Sequence, residues 1–191
     1  IDILSLPDPD NVSLEAALEF LPVSDLPKTS DTIDGFLLGA QLSDGRYSRL
    51  FHATDERDNR ALVIKFPHPR ITSDATYRTA FAREAWVAAQ VHSPFVGQII
   101  ETPPERRSRL YSVMPFYEGE TLEQRLLRKP MLNLTEGVWV GVSLAKGVAA
   151  LHRAGIIHRD IKPENVILLK NNELKLLDLG VARVPNMPDL S

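Results

Sequence analysis

The 191-residue chain has no cysteine, which excludes a disulfide framework and thiol chemistry and suits the cytoplasm. It has little net charge. Twenty-two Lys and Arg against 25 Asp and Glu leave −3, without a long basic run, so neither nucleic acid nor an anionic membrane is indicated as a partner. No uninterrupted apolar stretch reaches about 18 residues, so no membrane segment is expected. No signal peptide opens the chain, and internal repeats and low-complexity tracts are lacking. What is present is 43% hydrophobic content, enough for one core-forming domain plus extra sequence.

The chemistry concentrates in HRDIKPENVILLKNNELKLLDLG, from His158 to Gly180. It sets Asp160, Lys162, Asn165 and Asp178 at spacings that phosphoryl transfer uses. The order His-Arg-Asp, lysine two residues on, asparagine five on, then Asp-x-Gly resembles the signature of protein kinases, in the eukaryotic-like Ser/Thr form found in bacteria. Asn171-Asn172 lies between the apolar runs 166–169 and 174–177, which predicts a hairpin carrying Asn165 at one end and Asp178 at the other.

The resemblance implies a role for each residue. Asp160 takes the proton of the acceptor hydroxyl, and Lys162 lies against the γ-phosphate, where lysine marks Ser/Thr specificity. Asn165 and Asp178 supply oxygen ligands to Mg²⁺, a hard cation that fills its other positions with phosphate and water. The phosphoryl group carries spread negative charge, so catalysis here is positioning and electrostatic stabilisation.

Upstream, Leu62-Val63-Ile64-Lys65 stands where the family has V-A-I-K, which makes Lys65 the ligand of the α- and β-phosphates of ATP. A cation in an apolar strand needs a partner. Glu84 is the candidate, within a predicted helix over 75–91 where Tyr77, Phe81, Ala85 and Ala88 recur at helical spacing.

The segment Leu42-Ser43-Asp44-Gly45-Arg46-Tyr47-Ser48-Arg49-Leu50 aligns with the family's glycine loop. Ser43 and Ser48 replace its outer glycines, and Gly45 alone keeps the backbone freedom suited to close approach of phosphate. Leu110–Met114 reads as a buried strand leading to a hinge. The resemblance assigns adenine recognition to the Pro115 C=O and the Tyr117 N–H, with Met114 as gatekeeper, Leu50 and Val63 as roof and Ile167 as floor.

These readings give an α+β, protein-kinase-like fold of two lobes. Residues 1–34 are a linker with a short helix around Leu14–Leu21. Residues 35–118 form an N-lobe with a five-stranded antiparallel sheet (36–43, 48–54, 61–66, 96–101, 109–114) plus helix C, and the hinge. Residues 119–191 form an incomplete, mainly helical C-lobe. In it a short helix ends near Arg128 and a long one spans 135–154, capped by Asn133 with Glu136 and closed by Gly155. The long helix is apolar almost all round, and the first residue is Ile1. The chain therefore reads as a fragment whose activation segment and remaining helices lie beyond Ser191.

The opening IDILSLPDPD and the run KFPHPR…FAREAWV…MPFYEGETL also resemble bacterial fusions in which a PPM-type phosphatase precedes the kinase. The expected function is ATP- and Mg²⁺-dependent transfer to Ser/Thr of protein substrates in signalling. A pseudokinase is the alternative, prompted by the serines of the glycine loop. Lys162-Pro163-Glu164 disfavours a small-molecule kinase of the aminoglycoside type.

Overall fold

A computed structural model describes residues 22, 25–69, 76–79, 81–82, 88, 91–103 and 106–178. These fall into two compact units, one within Ile1–Trp86 and Ile99–Phe116, the other within Val87–Gln98 and Tyr117–Ser191.

The smaller unit is an antiparallel sheet in the order β1 (Thr32–Ile33), β2 (Phe36–Asp44), β3 (Ser48–Asp55), β4 (Ala61–Pro67), β5 (Ser112–Pro115). In β4 the strand alternation is sharp. Leu62, Ile64 and Phe66 are at most 2% exposed and join Phe36, Leu38, Phe51, Tyr111 and Val113 in the core, while Val63 and Lys65 point the other way.

Two expectations are corrected. The segment 96–101 is not a strand: Val96 and Ile100 make only isolated bridges, to Leu176 and Val113 respectively. Pro94 lacks an N–H, and Gly97 adds no side chain to a ladder. The fifth strand is instead Thr32–Ile33, inside the expected linker. Asp34 (φ 53) and Gly35 (φ 80) turn it back on Phe36 with both central residues left-handed, as a two-residue hairpin requires. The Asp34 carboxylate accepts from the Ser108 N–H and the Tyr111 hydroxyl, each at 2.9 Å.

The helix predicted over 75–91 is described only in part. Residues 76–79, 81–82 and 88 are helical, and its remaining positions, Glu84 and Ala85 among them, lie outside the described residues. The helix expected around Leu14–Leu21 also lies outside them.

Asp55 ends β3 almost fully buried. It meets Arg57 at 3.0 Å and Arg106 at 3.3 Å. The hydrogen bond from Arg57 chiefly, with Arg106 adding, holds its carboxyl well below the usual carboxylate range. A depressed folded-state pKa gives stability that is complete above the unfolded value of about 3.9 and is lost as pH falls below it. The thermal midpoint should therefore hold between about pH 7 and 5 and fall below about pH 4, with a shallower fall in Asp55→Asn. Equal acid slopes for variant and parent would remove Asp55 from this role.

The larger unit holds a three-stranded antiparallel sheet, β6 (Gly119–Thr121), β7 (Val166–Leu169) and β8 (Leu174–Leu176), in that order. Helix α1 (Leu122–Leu127) starts on a reciprocal cap between Thr121 and Gln124. Helix α2 (Leu134–Arg153) starts on the predicted cap, with Asn133 Oδ1 accepting from the Glu136 N–H and Glu136 Oε2 from the Asn133 N–H, both at 2.9 Å. Arg125 is 5% exposed; it reaches Glu136 at 3.2 Å and donates to the Pro130 C=O, fixing α1 against the start of α2.

By length and composition alone α2 is long and apolar enough to cross a membrane, with mean hydropathy 1.3. No such segment was expected. The helix nevertheless buries Val140, Ser143, Gly147, Ala150 and Leu151 within this unit, whereas Leu134, Val138 and Val142 form an exposed apolar stripe at 84%, 56% and 49% exposure. Such a stripe favours association. Val138→Glu with Val142→Lys should shift the 191-residue chain toward monomer in sedimentation while keeping its helical circular dichroism. An unchanged size distribution would clear the stripe of this part.

Candidate active site

In the larger unit, α2 hands the chain to the motif loop. Gly155 (φ 72) turns it, and the Ile156 N–H bonds back to the Leu151 C=O at 2.9 Å. His158 is then 2% exposed. Its Nε2 lies 3.0 Å from the Leu177 C=O, which can only accept, so Nε2 carries the proton. Its Nδ1 accepts from the Asp160 N–H at 3.2 Å. One imidazole thereby ties the Asp160 backbone to the residue before Asp178.

Asn165 closes the same loop. Its Nδ2 donates to both the C=O and the Oδ2 of Asp160 at 2.9 Å, so the carboxamide must present Oδ1 elsewhere. A 3₁₀ turn, Pro163–Asn165, delivers Asn165 to the start of β7, and the Leu177 N–H returns to the Asn165 C=O at 2.7 Å. The hairpin predicted around Asn171-Asn172 forms, with Asn172 at φ 61. It brings Asn165 and Asp178 to one end of β7 and β8.

Lys162 Nζ lies 2.8 Å from Asp160 Oδ2. That hydrogen bond raises the lysine pKa, with the charges of Glu164 and Asp178 adding. Both donors meet the same carboxylate oxygen, Oδ2. Arg159 (φ 67) and Asp178 (φ 61) are left-handed non-glycine residues, so the backbone carries strain at two positions of the motif.

In the smaller unit, pairing sorts the nucleotide candidates. Lys65 lies opposite Leu50 on β3 and Ser112 on β5, and Val63 opposite His52 and Met114. Directly opposed residues share a face, so Leu50, Val63, Lys65 and Met114 lie together on the side away from the core. Lys65 is half-buried, its Nζ 6.0 Å from the centroid of the Phe81 ring.

Leu42 is the unpaired residue at a register shift between Gln41 and Ser43, and is 48% exposed. Gly45 does not use left-handed backbone. A side chain there would put its Cβ 3.3 Å from the Ser48 C=O, a tight contact with backbone. The loop is pinned by Asp44, which meets Arg49 at 2.6 Å and His68 at 3.1 Å, and Tyr47 stacks on Tyr77 at 5.5 Å.

Pro115 ends β5, opposite Leu62. Tyr117 opens the other unit outside any strand, its hydroxyl accepting from the Gln98 N–H at 3.0 Å; burial raises the phenol pKa. Ile167, half-buried in β7, pairs with Thr121 and Lys175. Glu84 and Gly180 lie outside the described residues.

A family model described as "Protein kinase domain" matches residues 36–189. The chain belongs to the protein kinase family. Among curated relatives, a probable serine/threonine-protein kinase of Streptomyces coelicolor, SCO3848, is 32% identical over 155 residues, covering 76% of this chain and 22% of its own. PknL of Mycobacterium tuberculosis, a serine/threonine-protein kinase, is 30% identical over 158 residues, covering 82% of this chain and 39% of its own. The probable kinase pknA2 of Bifidobacterium longum is 29% identical, with coverage of 78% and 20%. This kinase chain thus spans well under half the length of these relatives.

The donor set suits Mg²⁺. Asn165 Oδ1 and the Asp178 carboxylate are hard oxygen donors, and no cluster of three or more acidic, His or Cys side chains occurs among the described residues. A cation held by one or two protein oxygens and otherwise by phosphate and water matches this set.

Reading from residue types gave His158 no role beyond its motif, though the motif itself was the signal. Phe81 beneath Lys65 and the Tyr47–Tyr77 stack had no local signal, because the partners are distant in sequence.

Ser43 pairs with Leu50 and Ser48 with Pro67, so both serines stand in the strands flanking the loop. Ser43→Gly with Ser48→Gly should loosen that hairpin and change the KM for ATP more than the KM for acceptor. Unchanged ATP kinetics would mean that this hairpin does not cover the phosphates.

Proposed function

We propose that the protein transfers the γ-phosphoryl group of ATP to serine or threonine hydroxyls of protein substrates, as part of a signalling kinase. The observation that carries this reading is the Asp160–Lys162–Asn165 constellation. The carboxylate accepts from an asparagine and stands 2.8 Å from an ammonium, while a buried histidine accepts from the backbone N–H of the same aspartate.

Asp160 Oδ1 accepts the proton as the hydroxyl oxygen bonds to phosphorus and the bond to the ADP oxygen breaks. Lys162 balances charge on the equatorial oxygens, and Lys65 holds the α- and β-phosphates. Asn165 and Asp178 would hold Mg²⁺, which when bound neutralises phosphate charge. The cytoplasm, where ATP is present, is the proposed location, supported by the lack of cysteine.

The serines of the glycine loop favour a second reading, a pseudokinase that binds nucleotide without transfer. Transfer of label from γ-labelled ATP to a protein serine or threonine, by the full-length protein with Mg²⁺, separates the two. Nucleotide binding without any transfer would establish the pseudokinase. A PPM-type phosphatase ahead of residue 1 rests on the resemblance of the opening segment alone, and Mn²⁺-dependent phosphatase activity of the full-length protein would test it.

A further inference from the structure

Within the larger unit an open depression of about 230 Å³ lies between α2 and the segment 92–95. Lys146, Ala149 and Arg153 line one side, at helical positions i, i+3 and i+7 and hence on one face. His92, Ser93 and Phe95 line the other. Ser93 is buried and its Oγ accepts from the Phe95 N–H at 3.2 Å, which fixes the shape of that segment. Lys146 Nζ lies 5.3 Å from the centroid of the Phe95 ring.

The lining carries Lys146, Arg153 and His92 and no carboxylate. Three other cations of the unit face acids: Arg125 meets Glu136, Arg128 meets Glu120, and Lys170 meets Glu118. Lys146 and Arg153 have no such counter-ion among the described residues. Beside the rim, Lys175 donates to the Pro94 C=O at 2.6 Å, adding another cation whose acid, Glu173, stands 3.6 Å from it. None of the lining residues belongs to the His158–Asp178 constellation.

Size narrows the ligand. One water needs only about 10–15 Å³ of such space, so the depression has room for an anion and the chain that presents it. Phe95, Pro94 and Ala149 give that chain apolar surface. A phosphoryl group brings about −1.5 to −2 charges and three acceptor oxygens, which suit a lysine and an arginine together.

We propose that this depression binds a phosphorylated serine or threonine side chain on a peptide, with Lys146 and Arg153 as its ligands. The choice of phosphoserine or phosphothreonine rests on the kinase reading above; the cationic site itself does not. The kinase would thereby dock on segments carrying the product of its own reaction class.

The test titrates the full-length protein, without ATP, with a phosphoserine peptide, its unphosphorylated twin and inorganic phosphate. The phosphopeptide should bind at least about tenfold more tightly than its twin, and Lys146→Ala and Arg153→Ala should each weaken it about tenfold. Both variants should keep the parent's thermal midpoint and its transfer to a short unphosphorylated acceptor. Equal binding of the two peptides, or unchanged binding in both variants, overturns the proposal. Inorganic phosphate binding as tightly as the phosphopeptide at the same residues also overturns it, since the peptide would then contribute nothing. Absence of label transfer in the parent with phosphopeptide binding intact would count against the kinase reading and not against the site.

Discussion

Asp160→Asn in the full-length protein should lower turnover roughly 10²–10⁴-fold, the usual worth of a positioned general base, while ATP binding stays near that of the parent. The substitution keeps the shape of the side chain. The bond from Asn165 Nδ2 to the Asp160 C=O does not involve the carboxylate and should persist, as should the His158 contact to the Asp160 N–H. What disappears is the basicity of the carboxylate, proposed to take the hydroxyl proton, and the charge that holds Lys162 at 2.8 Å. Single-turnover kinetics beside direct ATP titration makes the distinction. Parent-like turnover would remove Asp160 from the role of base, and loss of ATP binding in step with turnover would point to a collapsed loop.

Neighbouring positions on β4 should fail in opposite ways. Lys65→Met should cost roughly 10²–10³ in turnover, the scale found when one preorganised electrostatic contact is removed, with little loss of stability. Lys65 is half-buried on the face shared with Leu50, Val63 and Met114, so methionine loses charge but keeps most of the apolar stem. Ile64→Ala should cost about 2–5 kcal/mol of stability, because Ile64 is fully buried among Phe51, Phe66, Tyr111 and Val113. Below its lowered melting temperature that variant should retain transfer. Denaturant titration and kinetics on both variants test the pair, and an Ile64→Ala enzyme that is stable but inactive would break the argument.

The parts of the fold legible in the sequence were those written in short-range chemistry. The Asn133–Glu136 cap and the 166–176 hairpin are local patterns, and the structure contains both. The β1–β2 hairpin was equally local: Asp34-Gly35 between Thr32-Ile33 and Phe36-Leu37 is a two-residue turn signal. It was passed over because the surrounding proline-rich segment read as linker. The strand expected over 96–101 failed for the opposite reason. Its apolar residues are partly buried, but by isolated bridges and loop packing, and apolarity alone does not distinguish a ladder from a covered loop.

At the site, motif spacing named Asp160, Lys162 and Asn165, and the structure brings these three together. Spacing carried no information on Arg125, a buried cation whose partner lies on the next helix, nor on Phe81 beneath Lys65. Such contacts depend on packing between elements, which a local pattern does not encode.

The two-sidedness of β4 also bears on how this gene can change. Substitutions at Val63 or Ile64 alter one surface at a time and can be accommodated singly. Insertion or deletion of one codon between Ala61 and Lys65 would exchange the two surfaces at once, driving an ammonium into the hydrophobic core and turning isoleucine toward the face that Lys65 now occupies. Length variation in this domain should therefore gather in connections such as the 56–60 turn, while the 61–66 interval stays fixed in frame and length.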